Sequence, residues 1–88
     1  MLNDFEVKII EHLKKYTDAF KEEQVKSIVY AIYGADNMKN DATLQRHMFE
    51  IYPILCKLEE NGFIENTNHI PLKRVTLQVI GGSRWRIK

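Results

Sequence analysis

Cysteine is nearly absent from this sequence of 88 residues, which contains only Cys56. A single cysteine excludes an internal disulfide, and no paired Cys or Cys/His spacing indicates a zinc site. The three histidines are scattered over two predicted helices and a loop, so they predict no metal site. Phosphate-binding glycine loops, paired carboxylates and catalytic triad spacings are also missing. We therefore expect no metal, no cofactor and no enzymatic activity.

Long apolar runs are missing as well. No stretch approaches the roughly 20 apolar residues that a membrane-spanning helix needs. The first ten residues, MLNDFEVKII, have neither a basic leader nor a long apolar run. We therefore expect a cytoplasmic protein that does not enter a membrane.

The length and composition are those of one small globular domain, which we predict to cover residues 1–88. Apolar residues make up 44% of the chain and charged residues 28%, far from the composition of disordered chains. A domain of this size buries only about two thirds of its unfolded surface. A compact binding module is therefore favoured over an enzyme with a deep pocket.

The net charge is only +1, but it is unevenly distributed along the chain. Residues 66–88 carry five basic and no acidic residues, whereas residues 1–65 carry eight basic and twelve acidic ones, for a charge of −4. This asymmetry suggests a polyanionic partner for the C-terminal part. The alternative is that exposed strands carry Lys and Arg for solubility.

Two helices are predicted in the first half. Asn3-Asp4-Phe5-Glu6 has the form of a capping box, and apolar residues follow at three- and four-residue intervals. The first helix is therefore placed at 4–15. Thr17-Asp18 offers an N-cap for a second helix at 19–33, which Gly34 would end.

A third helix is predicted at 42–61, after the Asn40-Asp41 capping pair. Its apolar stripe has a 4-3-4-3 spacing and consists of Leu44, Met48, Ile51, Leu55 and Leu58. Pro53 lies on the opposite side and removes one backbone hydrogen bond, so we expect the helix to bend or divide near residues 49–52. Gly62 should end it, with Phe63 against Leu58 as in a Schellman cap.

The pattern changes to strands after Gly62. Phe63-Ile64 begins an extended segment, and Val75, Leu77 and Val79 alternate with their neighbours. Gly81-Gly82 predicts a hairpin turn. The last strand, at 84–88, has Trp85 on its core face. The fold class is therefore α+β: a three-helix winged helix-turn-helix domain with a C-terminal β-hairpin wing.

Two segments carry a family resemblance. In IYPILCKLEENGFIE, residues 51–65, the pairs Tyr52-Pro53, Leu58-Glu59 and Phe63-Ile64 occur with Leu55 and Gly62 in the order found in PadR-like transcriptional regulators. The segment resembles their recognition helix. GGSRWRIK, residues 81–88, is more loosely similar to the end of their wing. The resemblance implies a winged-helix DNA-binding regulator.

DNA binding requires cations that meet phosphates and polar side chains that meet base edges. On the third helix, Gln45 and Arg46 are the candidates for groove contacts. Thr43 and Lys57 share the predicted exposed face, and Lys39 precedes the helix. The alternative is a merely solvated helix face.

The wing supplies the remaining candidates, which are cations suited to phosphate contacts: Lys73, Arg74, Arg84 and Arg86. Trp85 could stack on a base, but its alternation with Ile87 favours packing in the core. Cys56 is expected to be a packing or surface residue.

The leading prediction is a double-stranded DNA-binding protein, a transcriptional regulator whose third helix enters the major groove and whose wing contacts the backbone. A homodimer through the first helix is compatible with that role. The alternative is a winged-helix protein-interaction module that docks on a replication or transcription complex. Its partner would be a protein, and it would show an exposed apolar patch.

Overall fold

The computed structural model of the protein describes residues 2–35, 40–68 and 76–88. These residues form an α+β structure with four helices and a small antiparallel sheet of three strands. The elements follow one another as α1 (Asp4–Tyr16), β1 (Glu23–Gln24), α2 (Val25–Tyr33), α3 (Asp41–Glu60), β2 (Ile64–Asn66), α4 (Leu77–Gly82) and β3 (Arg84–Ile87).

The first helix begins as the sequence predicts. The Asn3 side chain accepts a hydrogen bond from the Glu6 amide at 2.8 Å, and the Glu6 carboxylate accepts one from the Asn3 amide at 3.0 Å. This reciprocal pair satisfies two of the amide groups that a helix start leaves without partners. The predicted capping box is therefore confirmed, and α1 ends at Tyr16.

The second helix begins at Val25, six residues later than predicted. Asp18 does not cap a helix; its carboxylate accepts a hydrogen bond from the Phe20 amide at 2.7 Å and closes a tight turn. Glu23 and Gln24 then pair with β3. The start predicted at residue 19 was wrong because Asp side chains stabilise turns as readily as helix starts.

The third helix runs unbroken from Asp41 to Glu60, and the Asn40 side chain caps its first turn by accepting from the Thr43 amide at 2.9 Å. It is not divided at Pro53, as the sequence had suggested it could be. Pro53 is exposed, and the buried stripe continues on the opposite side before and after it. Packing of that stripe holds the helix together across the missing backbone hydrogen bond.

The third helix ends in the predicted cap. Gly62 has a φ of 84°, a left-handed value that other residues adopt at a cost. The Phe63 amide donates to the Leu58 carbonyl at 3.0 Å, which is the hydrogen bond of a Schellman motif. The chain then enters β2 at Ile64.

The strand predicted at 75–80 and its Gly81-Gly82 hairpin are wrong over the described residues. Residues 77–82 form the short helix α4, in which the Thr76 hydroxyl accepts from the Val79 amide at 3.3 Å. Leu77 and Ile80 are three residues apart, a spacing that puts both on one face of a helix but on opposite faces of a strand. Ile80 is fully buried, and this packing favours the helix.

The sheet has the order β1-β3-β2, with both pairs antiparallel. Its central strand, β3, thus joins a segment before α2 to a segment after α3. Trp85 of β3 is only 1% exposed, as predicted, and its indole N–H donates to the Ser83 hydroxyl at 3.0 Å. The remaining core comes chiefly from α1, α2 and the apolar stripe of α3.

Candidate nucleic-acid interface

The outer side of α3 carries three of the predicted DNA contacts. Gln45, Arg46 and Lys57 are exposed, whereas Thr43 is half-buried in the first turn. Arg46 and Lys57 lie eleven residues apart, close to three full turns, so both project from the same side of the helix about 16 Å apart along its axis. Gln45 lies about 100° around the helix from Arg46. The helix therefore offers Arg46 and Lys57 on one accessible side and Gln45 on the adjoining one.

Arg46 belongs to a small cluster centred on a carboxylate. Its Nε lies 3.8 Å from Oε1 of Glu50, and the Arg46 side chain is 68% exposed. Because the ion pair is long and open to water, it contributes at most about 1 kcal/mol and leaves the guanidinium available to another anion.

The same carboxylate also binds an aromatic pair that joins α2 to α3. Nδ1 of His47 lies 3.0 Å from Oε2 of Glu50, and the His47 ring stacks on Tyr33 with 3.9 Å between centroids. Burial, reinforced by the negative charge of Glu50, raises the pKa of Tyr33. The sequence did not indicate this stack, because Tyr33 and His47 are 14 positions apart in the chain.

An apolar area occupies the middle of the outer side of α3. Phe49 is 46% exposed, and Pro53, one turn later, is also exposed. Counted over its whole length, α3 has two basic and four acidic residues. This side of the helix is therefore mixed in character and not a dense cationic strip.

The two arginines of β3 are engaged with other parts of the protein. Arg86 donates from Nη1 to the Ala19 carbonyl at 2.7 Å and from Nε to the Glu65 carboxylate at 3.1 Å. Arg84 contacts two side chains: its Nε lies 4.0 Å from the Glu22 carboxylate, and its terminal nitrogens lie 3.2 and 3.3 Å from the side-chain oxygen of Gln24. Its side chain is 42% exposed. Arg86 thus ties the turn after α1 to β2, while Arg84 is more open to solvent.

The remaining predicted cations cannot be placed against these groups. Lys39, Lys73 and Arg74 lie outside the described residues. Of the cations predicted for a wing, the structure therefore describes Arg84 and Arg86. Both guanidinium groups contact other groups of the protein, which the charge count of residues 66–88 could not reveal.

Cys56 lies on the flank of α3 and is partly buried. Burial raises the pKa of its thiol and the nearby Glu59 and Glu60 add to this, whereas a hydrogen bond with Tyr52 acts in the opposite direction. A thiol with a raised pKa is a poor nucleophile at neutral pH. Over residues 2–35, 40–68 and 76–88, no group of three His, Cys, Asp or Glu side chains is arranged to hold a metal ion.

Phe20 was missed by the sequence prediction, which placed it inside the second helix. It is 99% exposed on the turn between α1 and β1. The adjoining Thr17-Asp18 pair is the signal that could have located this turn, since both side chains favour local hydrogen bonds to backbone.

Comparison with known proteins gives no relative: no family model, no curated protein and no solved structure matches the chain. In the part of the chain that the structure describes, no helix is both long and apolar enough to cross a lipid bilayer.

Proposed function

We propose that this chain is a winged-helix protein that binds double-stranded DNA and acts as a transcriptional regulator. In this arrangement α1, α2 and α3 form the helical part, β2 and β3 flank the wing, and α3 enters the major groove. The sheet order β1-β3-β2 supports the proposal, because β3 pairs both with β1, which precedes α2, and with β2, which follows α3.

The observation that carries the proposal is the accessible side of α3. Gln45 and Arg46 are exposed near its N-terminal end, where recognition helices contact base edges, and Lys57 is exposed further along. Gln suits adenine and Arg suits guanine by paired hydrogen bonds. The resemblance of residues 51–65 to PadR-like regulators agrees with this role, since it concerns the same helix.

The wing is assigned a narrower role than its charge suggested. Arg86 is held by Ala19 and Glu65, so we assign it chiefly to the fold, and Arg84 remains a candidate for a phosphate contact. Lys73 and Arg74 follow β2 in the chain and stay candidates together with Lys39.

Binding of a labelled duplex at several salt concentrations tests the proposal. Replacing Arg46 and Lys57 together with Ala should weaken binding and reduce the slope of log affinity against log salt by about 0.9 for each lost phosphate contact. Lys8→Ala, which removes an exposed cation from α1, is the matched control. Absence of duplex binding at low salt, or equal behaviour of the double variant and the control, would contradict the proposal.

A second candidate function, a protein-interaction module of a replication or transcription complex, is favoured by the exposed Phe49 and Pro53. Aromatic side chains at the centre of a surface are frequent anchors of protein interfaces. This candidate predicts one stoichiometric protein partner whose binding is lost in Phe49→Ala and retained in Phe63→Ala, which removes another partly exposed phenyl. Duplex binding would then be weak or absent.

A further inference from the structure

The turn between α1 and β1 presents a phenyl ring to solvent on a well-supported backbone. Phe20 is 99% exposed, although its amide donates to Asp18 at 2.7 Å and the Asp18 amide donates to the Lys21 carbonyl at 3.1 Å. Arg86 holds the Ala19 carbonyl of the same turn at 2.7 Å. Because the backbone of the turn is already fixed, only the phenyl ring itself must lose conformational freedom on binding.

A groove suited to such a ring runs beside α1. It has a volume of about 390 Å³ and lies between α1, the cap after α3 and the end of β3. Its apolar lining includes Leu2, Val7, Ile10 and Phe63. Val7 is 36% exposed and Phe63 is 39% exposed, so the groove leaves apolar surface in water that a partner could cover.

The charges around the two surfaces are complementary. Glu11, Lys14 and Lys88 line the groove, so it offers one acidic and two basic side chains. Asp18 and Lys21 stand on either side of Phe20 in the turn and are exposed. Each surface can therefore meet the other with pairs of opposite charge, which favours a specific orientation.

We propose that the groove is occupied by Phe20 of a second copy of this chain, and that the exchange is reciprocal. If each copy only inserted its ring into the next copy, the copies would assemble into open-ended polymers, whereas a reciprocal two-fold contact closes after two copies. The groove belongs to α1 and Phe20 follows α1 by four residues, so the exchange brings the first helices of the two copies together. This gives the proposed homodimer a specific contact.

The inference stands apart from DNA binding, because neither surface contains a candidate DNA-contacting residue. It can be tested by sedimentation without DNA. The wild type should associate to a dimer, while Phe20→Ala, which removes the ring, and Val7→Glu, which places a charge in the groove, should each weaken dimerisation. Burial of one phenyl ring lowers the dissociation constant of the dimer by about tenfold or more, and burial of two lowers it by about a hundredfold or more.

A mixture of the two variants makes the test specific. Phe20 of the Val7→Glu chain can still enter the intact groove of the Phe20→Ala chain, so the mixture should associate more tightly than either variant alone. Phe49→Ala, another exposed phenyl, is the matched control and should dimerise like the wild type. Urea unfolding of each variant establishes that it is folded.

Three results would overturn the inference. The first is a wild type that stays monomeric at the highest concentration, and the second is a dimer that Phe20→Ala leaves intact. The third is a mixture of Phe20→Ala and Val7→Glu that associates no more tightly than either variant alone. Loss of duplex binding in a protein that still dimerises would contradict the proposed function alone, so the two failures can be told apart.

Discussion

Replacing Arg86 with Ala separates a structural role from a DNA-binding one. The Arg86 side chain is 30% exposed and gives one hydrogen bond to the Ala19 carbonyl and one to the Glu65 carboxylate. Hydrogen bonds from charged groups contribute about 1.5–3 kcal/mol when buried, and exposed ion pairs at most about 1 kcal/mol. Because water can replace part of both contacts, we expect the free energy of unfolding to fall by about 1–2 kcal/mol.

Urea unfolding followed by far-ultraviolet circular dichroism measures this loss. Small domains lose about 1 kcal/mol of stability per molar urea, so the midpoint should fall by about 1–2 M. Glu65→Ala should have a smaller effect, because the bond from Arg86 to Ala19 remains. An unchanged midpoint in Arg86→Ala would refute the reasoning.

Arg86→Lys sharpens the comparison, because it keeps the positive charge but has only one group with which to contact both Ala19 and Glu65. If Arg86 is structural, the Lys variant loses much of the stability that the Ala variant loses and still binds duplex DNA with little change. If Arg86 meets a phosphate, the Lys variant keeps the affinity that the Ala variant loses. Stability and duplex affinity measured on both variants distinguish these cases.

Two further predictions concern α3. Pro53→Ala should raise the free energy of unfolding by about 1–3 kcal/mol, because Pro53 is exposed and Ala restores the missing helical hydrogen bond; a lower urea midpoint would contradict this. Cys56 should react with a thiol reagent more slowly in the folded protein than in urea at pH 8, and faster as the pH rises above 9.0, since burial raises the pKa of its thiol. An equal rate in the folded and unfolded protein would show that the thiol is not shielded.

The parts of the fold that sequence could predict are those determined by neighbours in the chain. The capping box at Asn3, the stripe of α3 and the left-handed Gly62 depend on residues within a few positions of one another. The helix α4 could not be distinguished from a strand in this way. Its choice depends on Ile80 packing in the core, which joins residues far apart in the chain.

The contacts of the candidate site were also hard to predict, because they join residues that are far apart in the chain. Arg84 meets Glu22, and Arg86 meets Ala19, across more than sixty residues of chain. Counting charges in residues 66–88 found the cations but not the groups from the N-terminal half that engage them. The short strand β1, Glu23-Gln24, has no apolar alternation, and only its pairing with β3 identifies it.

The mixed character of α3 bears directly on how the proposed DNA contact would work. Arg46 and Lys57 are about 16 Å apart along the helix, which exceeds the roughly 12 Å width of the major groove, so they could meet phosphates at its edges. Phe49 between them could contact thymine methyl groups, and Glu50 could accept from cytosine. A side of α3 that carries both charged and apolar groups is therefore compatible with base contacts, provided that only a few phosphate contacts supply the affinity for DNA.

The salt dependence of duplex binding measures how many phosphates take part. Contacts from Arg46 and Lys57 alone give a slope of about −1.8, and adding Lys39, Lys73 and Arg74 gives about −4.5. A slope near −6.3 would require Arg84 and Arg86 as well, and hence the loss of their contacts with Glu22 and Glu65. Since Arg86 also holds the turn that carries Phe20, a slope that steep would mean that DNA binding loosens the surface assigned to the dimer. Dimerisation and duplex binding would then oppose each other, and because coupling between two equilibria is reciprocal, each would weaken the other by the same factor.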